Sequence, residues 1–442
     1  MKHFDNIIIG FGKAGKTLAA TLAQHGKEVL VIEKDAQMYG GTCINVACIP
    51  TKNLITSAQR GVSYGQAIQI KNQLTGKLRD KNYHKVADQE TATVLNADAE
   101  FLDDQTLLVK DDSSEQQLTA DRIFINTGSK AFVPAIEGLQ ESRHVYTSQE
   151  LLAQTEQVQH LAILGGGPIG LEFASMYAQF GSEVSVLVNQ PQVLRGFEPE
   201  VAQMASEDLQ ADGIEFLLES ELVSVHDTED GVELSYRQNH EVHTLTVDAL
   251  LVATGRQANV ADLHLERTSI ERGKHGAIVV NEKLETTAPN IWALGDVNGG
   301  PQFTYVSLDD WRIVNNQLFG DQTRTLANRP AFPRVTFLKP AIATVGLTEA
   351  EAVAQGYQPI VKKLAAAAVP KAQVLGDARG LYKAVVDPRN NTLLGMTIYA
   401  EEAYETINLI TLALNQKIPV TELRDQIYSH PTMTEALNDV FA

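Results

Sequence analysis

Cysteine is nearly absent from this chain: 442 residues contain two, Cys43 and Cys48, and none follows position 48. That scarcity excludes a disulfide-stapled scaffold and leaves no cysteine-histidine cluster with the spacing of a resident structural metal. Long apolar runs are missing too. None approaches the roughly 18 residues of a membrane span, and only Lys2 and His3 precede the short run Ile7 to Ile9, so neither a transmembrane segment nor a leader is expected. Basic charge is short: 36 Lys and Arg stand against 55 Asp and Glu, a net charge of −19. A nucleic-acid surface and a polybasic lipid patch are therefore excluded. A hydrophobic content of 44% is ordinary, and the length calls for several domains around separate cores. The expectation is a cytoplasmic, multi-domain enzyme.

The two cysteines sit in Tyr39-Gly-Gly-Thr-Cys-Ile-Asn-Val-Ala-Cys-Ile-Pro-Thr-Lys52. In a regular α-helix residues five apart lie about 8.7 Å apart at Cα, beyond the roughly 7 Å that a disulfide can bridge. Pairing needs irregular backbone, which Gly40 and Gly41 ahead of the pair and Pro50 in a first helical turn permit. A thiolate at a helix start with Lys52 one turn on is expected to have a lowered pKa. A structural bridge or two idle thiols are the other readings. A short closed loop stabilises a large fold little, and persistent structural disulfides are rare in the cytosol, so a redox-active pair is favoured.

The chain carries one plan twice. A strand Asn6–Ile9, the loop Gly10-x-Gly12-x-x-Gly15, a helix to His25 and a strand Glu28–Glu33 are matched without a gap. The counterparts are Leu161–Leu164, Gly165-x-Gly167-x-x-Gly170, a helix to Phe180 and Glu183–Val188. Each copy runs on through short alternating strands with acidic turns, such as Asp103-Asp104, to Thr127-Gly128 and Thr254-Gly255. Gly10 to Gly165 is 155 residues but Gly128 to Gly255 is 127, so the first copy carries about 28 extra residues. The cysteine segment fits that insertion.

In a strand-turn-helix setting the first glycine makes the turn, the second admits pyrophosphate to the backbone and the third lets helix pack on strand. Two such loops in register predict two bound dinucleotides. Glu33 is placed to accept from ribose hydroxyls in the first copy. Its equivalent in the second is Val188, followed by Asn189 and, further on, Arg195. No carboxylate there repels a 2′-phosphate, and a lone arginine does not prove a clamp, so NADH and NADPH both remain open.

Taken together, these motifs resemble the pyridine nucleotide-disulfide oxidoreductases, the flavoproteins of the glutathione reductase, dihydrolipoamide dehydrogenase and mercuric reductase type. The likeness adds Gly40-Gly-Thr-Cys43-x4-Cys48, Glu172 behind the second loop, Thr287-x-Pro-x-Ile-Trp-Ala-Leu-Gly295-Asp296 and His430-Pro-Thr-Met-Thr-Glu435, and spans essentially the whole chain. It implies an α/β fold of two Rossmann-like dinucleotide domains and a C-terminal α+β dimerisation domain. Residues 1–149 would bind FAD and hold the cysteines, 150–280 NAD(P)H, 281–331 would return to the FAD domain and 332–442 form the interface. Gly41, Thr42, Lys52, Thr127, Gly128, Gly295 and Asp296 would line the FAD site, and Gly255 the nicotinamide nucleotide's.

The resemblance also implies a mechanism. Hydride passes from nicotinamide to flavin and on to the cysteine pair, Cys48 contacting the ring and Cys43 attacking the substrate. A homodimer is implied, with His430 of one subunit protonating the leaving thiolate in the other. Pro431 should keep His430 in a loop while Glu435, inside the following helix, holds its ring. Lys52 and Glu172 are expected to pair beside the flavin.

Several positions depart from the family pattern: Ala47 replaces a glycine, Pro168 an aromatic gate, and Asn126 and Ala258 alter two nucleotide motifs. No cysteine follows position 48, against mercuric reductases and large thioredoxin reductases, and Tyr428-Ser-His430 lacks the second histidine of lipoamide enzymes. Gly10-Phe-Gly-Lys-Ala-Gly-Lys-Thr-Leu18 and Met38-Tyr-Gly-Gly-Thr-Cys-Ile-Asn45 resemble the reactive-chlorine-resistance flavoproteins, associated with oxidative stress and copper(II) reduction. The expected substrate is a small-molecule disulfide or a thiophilic metal ion. A glutathione- or lipoamide-type reductase is one alternative, and a redox sensor with little turnover another.

Overall fold

The computed structural model describes residues 2–442. The chain enters through β1 (Lys2–Ile9), turns into α1 (Lys13–Gln24) and returns as β2 (Val29–Glu33), parallel to β1. Ile7, Ile8 and Ile9 are all buried, the unbroken apolar run that a parallel strand covered on both faces requires. Three helices follow, α2 (Thr42–Asn45), α3 (Cys48–Gln59) and α4 (Tyr64–Ala87), before β3 (Ala92–Asn96) joins β2. β4 (Asp98–Phe101), β5 (Thr106–Lys110) and β6 (Glu115–Ile125) form an antiparallel meander whose last strand lies back beside β1. The acidic pairs fall in its turns, as the pattern predicts.

A short strand β7 (Ser129–Ala131) leads to the second unit: β8 (Val145–Thr147), α5 (Ser148–Ala153), β9 (His160–Leu164), α6 (Pro168–Phe180), β10 (Glu183–Val188), α7 (Pro199–Ala211) and β11 (Ile214–Leu218). β12 (Glu221–Asp227), β13 (Val232–Gln238) and β14 (Glu241–Val247) make a separate antiparallel sheet. β15 (Ala249–Val252) then completes the parallel order β11-β10-β9-β15-β8. The plan of the first unit is repeated. One helix, α7, crosses between the second and third parallel strands here, where α2, α3 and α4 cross in the first unit; the surplus is the segment bearing the cysteines.

β16 (Arg256–Ala258) pairs with β7, and β17 (Ile291–Ala293) lies beside β6, so the chain re-enters the first sheet. α8 (Thr304–Phe319) packs on α1, Trp311 Nε1 donating to Thr21 Oγ1 at 3.2 Å. The last unit is an antiparallel sheet, β18 (Arg334–Thr336), β19 (Ala341–Gly346), β20 (Ile360–Ala365), β21 (Leu381–Asp387) and β22 (Thr392–Ala400), with its own core. Helices α9 (Glu349–Ala354), α10 (Pro370–Leu375), α11 (Ala403–Asn415), α12 (Val420–Asp425) and α13 (Ala436–Val440) flank it. One local expectation is corrected. Glu435 lies just before α13, not within it, because it forms the helix entry with Thr432: its amide donates to Thr432 Oγ1 at 3.3 Å and its carboxylate accepts from the Thr432 amide at 3.4 Å, the other oxygen lying 2.8 Å from His430 Nδ1. Among the described residues no helix is long and apolar enough to cross a membrane, and no cluster of His, Cys, Asp or Glu is arranged to hold a metal ion.

Candidate active site

The cysteine segment folds as its composition demands. Gly40 and Gly41 take positive φ, α2 makes a single turn, and the backbone breaks at Val46 and Ala47 before α3 begins at Cys48. Pro50, third in α3, occupies a position whose N–H has no helical partner anyway. The break brings the two side chains together as free thiols in hydrogen-bond contact. They are not equivalent. Cys48 is lowered to about 6, first because Cys43 donates to it and then, against the cost of burial, because Lys52 lies near. Cys43 is pushed up by that same bond, by burial and by the Cys48 charge. The lowered pKa expected of the pair thus belongs to Cys48 alone, and its Sγ also lies 3.9 Å from Thr304 Oγ1 at the start of α8.

Both cysteines face a cleft of about 1350 Å³. Lys52 from α3 and Glu172 from α6 meet there, Nζ to Oε2 at 2.6 Å. The other Glu172 oxygen accepts from the Phe337 amide at 2.9 Å, and the Lys52 ammonium lies 4.8 Å from the Phe337 ring centre. One ion pair therefore ties the redox helix to the second unit and to the C-terminal unit. Its carboxylate is shielded, so breaking it would leave a buried charge, the costly case for such a pair.

Gly10, Gly12, Glu33, Gly41, Thr42, Thr127, Gly128 and Asp296 line the same cleft. Gly10 has φ +100°, and a Cβ there would meet Asn126 O at 2.4 Å; a Cβ on Gly15 would meet Gly10 O at 2.8 Å. Glu33 is already aimed, accepting from the amides of Phe11 at 2.9 Å and Asp35 at 3.2 Å. Burial raises its carboxyl pKa against those two bonds. The N-terminus of α1 has no side-chain cap, and Thr127 Oγ1 is buried without a partner. Unmet amides, an orphan hydroxyl and an oriented carboxylate are the donor and acceptor set that a dinucleotide completes. Gly295 stands behind Asp296, whose Oδ2 accepts from Ser129 Oγ at 2.8 Å.

The second glycine loop, Gly165, Gly167 and Gly170, is placed like the first, and Gly170 again abuts the turn: a Cβ would meet Gly165 O at 2.1 Å. Val188 ends β10 buried, whereas Asn189 and Arg195 are exposed, Arg195 without an ion pair among the described residues. Gly255 follows β15 with φ +126°. Pro168 and Ile169 at the start of α6 line the main cleft, whereas Gly165, Gly167 and Gly170 do not. His430 does not line it. It sits on the surface of its own subunit with a side chain 68% exposed, held by Glu435.

Residues 4–310 match the model of the pyridine nucleotide-disulphide oxidoreductases and residues 332–441 that of their dimerisation domain. The chain belongs to this family. It is 43% identical over 443 residues, 100% of this chain and 99% of the relative, to the probable pyridine nucleotide-disulfide oxidoreductase RclA of Escherichia coli K12. It is 31% identical to a mercuric reductase of Staphylococcus aureus, covering 98% of this chain and 81% of that one. Among solved structures, the HOCl-induced flavoprotein disulfide reductase RclA of Escherichia coli in its Cu(II) complex superimposes with a TM-score of 0.96 at 42% identity, over 100% of this chain and 99% of that one. A C43S mutant of the same protein, also as a Cu(II) complex, matches equally.

The α/β fold, the resemblance and the enzyme class expected from the sequence are therefore those of this family, an NAD(P)H-dependent oxidoreductase that uses FAD. Three residues at the site were not singled out from sequence. Thr304 acts from the first turn of a helix with no motif of its own. Phe337 contributes a backbone amide, which any residue could supply. Arg256 did have a signal, following Thr254-Gly255; it donates to Ser129 Oγ at 2.9 Å and so joins the second unit to Asp296.

Proposed function

We propose that this protein passes two electrons from NAD(P)H through FAD to Cys43 and Cys48, and from Cys43 to a thiophilic metal ion, copper(II) foremost, or to an oxidised thiol. The setting is defence against reactive-chlorine stress in the cytoplasm. The unequal cysteine pair carries this reading: Cys48, lowered to about 6 beside Lys52, is the resting thiolate, and Cys43 keeps the proton until it attacks. FAD supplies a two-electron carrier between nicotinamide and the pair. Reduction opens the Cys43–Cys48 disulfide to a thiol and a thiolate, taking up one proton with the hydride's two electrons. Two copper(II) ions then take one electron each, the disulfide re-forms and the remaining thiol proton leaves.

Lys52 holds positive charge beside Cys48, and Glu172 keeps Lys52 from turning to solvent. Glycine loops 10–15 and 165–170 bind FAD and the nicotinamide nucleotide, with Glu33 on the FAD ribose. His430, remote from the cleft of its own subunit, serves the cleft of a partner in a homodimer, where the Glu435 bond sets its ring to deliver a proton. The Cu(II) complexes of the 42% identical relative favour copper over a small disulfide as acceptor.

Anaerobic titration with NADPH or NADH tests the route. A long-wavelength thiolate-to-flavin band is expected, fading as pH falls through about 6 because protonation of Cys48 removes the donor. Cys48→Ser should lose the band, and Cys43→Ser should keep it while losing turnover with copper(II). Reduction of FAD without the band in the parent protein would place the cysteines outside the electron path.

A further inference from the structure

Lys16 is a buried cation without an anion. It lies in α1 directly after the third glycine of the first loop and is only 3% exposed. Its ammonium donates to one group, the Gly40 carbonyl, at 3.3 Å. Among the described residues no carboxylate is within ion-pairing distance. The charged neighbours from the same and adjacent helices, Lys13 in α1 and Lys85 in α4, are both cations. A lone buried ammonium costs several kcal/mol unless something opposite in charge faces it.

Two anions are available when the enzyme works: the pyrophosphate of FAD and a cysteine thiolate. Lys13 lines the nucleotide cleft and Lys16 does not, so Lys13 is the lysine placed for pyrophosphate. Lys16 instead points at the carbonyl that opens the Gly40-Gly41-Thr42-Cys43 turn, and Cys43 is the one neighbour whose charge favours its protonated form. Burial, then Lys13 and Lys85, push Lys16 down to about 7 while Cys43 holds its proton. A negative charge on Cys43 would therefore give this buried ammonium the anion it lacks. The proposed route also needs this. Cys48 has Lys52 to sustain its charge, while Cys43, raised by burial and by the Cys48 thiolate, must still become a nucleophile.

We infer that Lys16 is a positioning residue, the counter-ion that sustains the Cys43 thiolate from behind the redox turn. The inference rests on Cys43 being the outgoing nucleophile. As Cys43 gives up its proton, Lys16 gains a facing anion and keeps its own. The Gly40 bond holds the ammonium under the turn in both states.

The test is alkylation of Cys43 by iodoacetamide, followed by mass spectrometry across pH in the FAD-loaded protein, reduced either by NADPH or by a phosphine. Lys16→Met should slow Cys43 alkylation about tenfold near pH 7 and move its onset to higher pH. FAD content and the Cys48 band should be unchanged, and Lys16→Arg should restore the parent profile. Lys16→Gln repeats the comparison with a polar side chain where methionine lowers the yield of folded protein. An unchanged Cys43 profile in the phosphine arm overturns the inference. Loss of FAD with Cys43 reacting normally in the loaded fraction also overturns it and assigns Lys16 to pyrophosphate. If NADPH exposes no alkylatable Cys43 in the parent while phosphine does, the electron route fails, and the phosphine arm still decides the role of Lys16.

Discussion

The two glycine loops share a sequence pattern and a strand-turn-helix frame, yet the protein treats them differently. Around the first, chain closes from several sides. The Gly15 amide donates to Asn126 Oδ1 at 2.9 Å, Gly41 lies so near Gly12 that a Cβ would sit 2.8 Å from its Cα, and Glu33 is locked by two amides. Around the second, a Cβ on Gly167 would meet nothing within 4 Å, and the strand ends in Val188 with Asn189 exposed. The outer glycines are equally confined in both loops, Gly165 against Ala253 O at 2.5 Å as Gly10 against Asn126 O at 2.4 Å, so the difference lies at the middle glycine and the strand end. That difference comes from chain packed around the loop, not from the glycine signature, which both possess.

The largest break in this comparison is a side chain on the turn. Gly10→Val should yield protein without bound FAD, since its Cβ overlaps the Asn126 carbonyl at a positive φ, whereas Gly167→Ala should retain FAD and raise the KM for NAD(P)H about tenfold. Absorbance of the purified variants and steady-state kinetics separate the two.

Next in size is the strand-end carboxylate. Glu33→Gln replaces a charge-assisted acceptor worth about 1.5–3 kcal/mol, so FAD should bind roughly ten- to hundredfold more weakly by fluorescence titration. Its pKa in the folded protein is raised above the ordinary 4.5, so the folded apoprotein binds more protons there than the unfolded chain. Stability of the apoprotein should therefore fall as pH rises from about 4.5 through the folded value, and Glu33→Gln should flatten that fall in thermal melts.

The smallest effect sharpens the open side. Asn189→Asp places a carboxylate where a 2′-phosphate would lie, so the KM for NADPH should rise about tenfold while that for NADH changes little.

Much of this was readable in order along the chain because the signals are local. The repeat, both loops, the cysteine segment and the Pro-broken histidine loop each fall within a few dozen residues, and their periodicity and turn chemistry need no distant partner. Glu435 illustrates the limit. Its spacing from His430 was legible, but its place before α13 was not, because reciprocal bonds with Thr432 set where the helix starts. Asn126 was visible only as a departure; folded, its amide bridges Gly15 and the Leu294 carbonyl, joining segments far apart in sequence.

Sequence alone determined that two nucleotides and one dithiol work together here, because glycine turns and a Cys-x4-Cys segment are chemistry written at short range. Tertiary structure decided how the two thiols differ, where the buried lysines find their partners and how closely chain encloses each glycine loop. Those outcomes depend on burial and on neighbours brought from other helices: Lys52 with Glu172, Lys16 with Gly40, Arg256 with Ser129. Electrostatic energies in a protein are set by such distances and by the water excluded around them, and neither is encoded in any single stretch of chain.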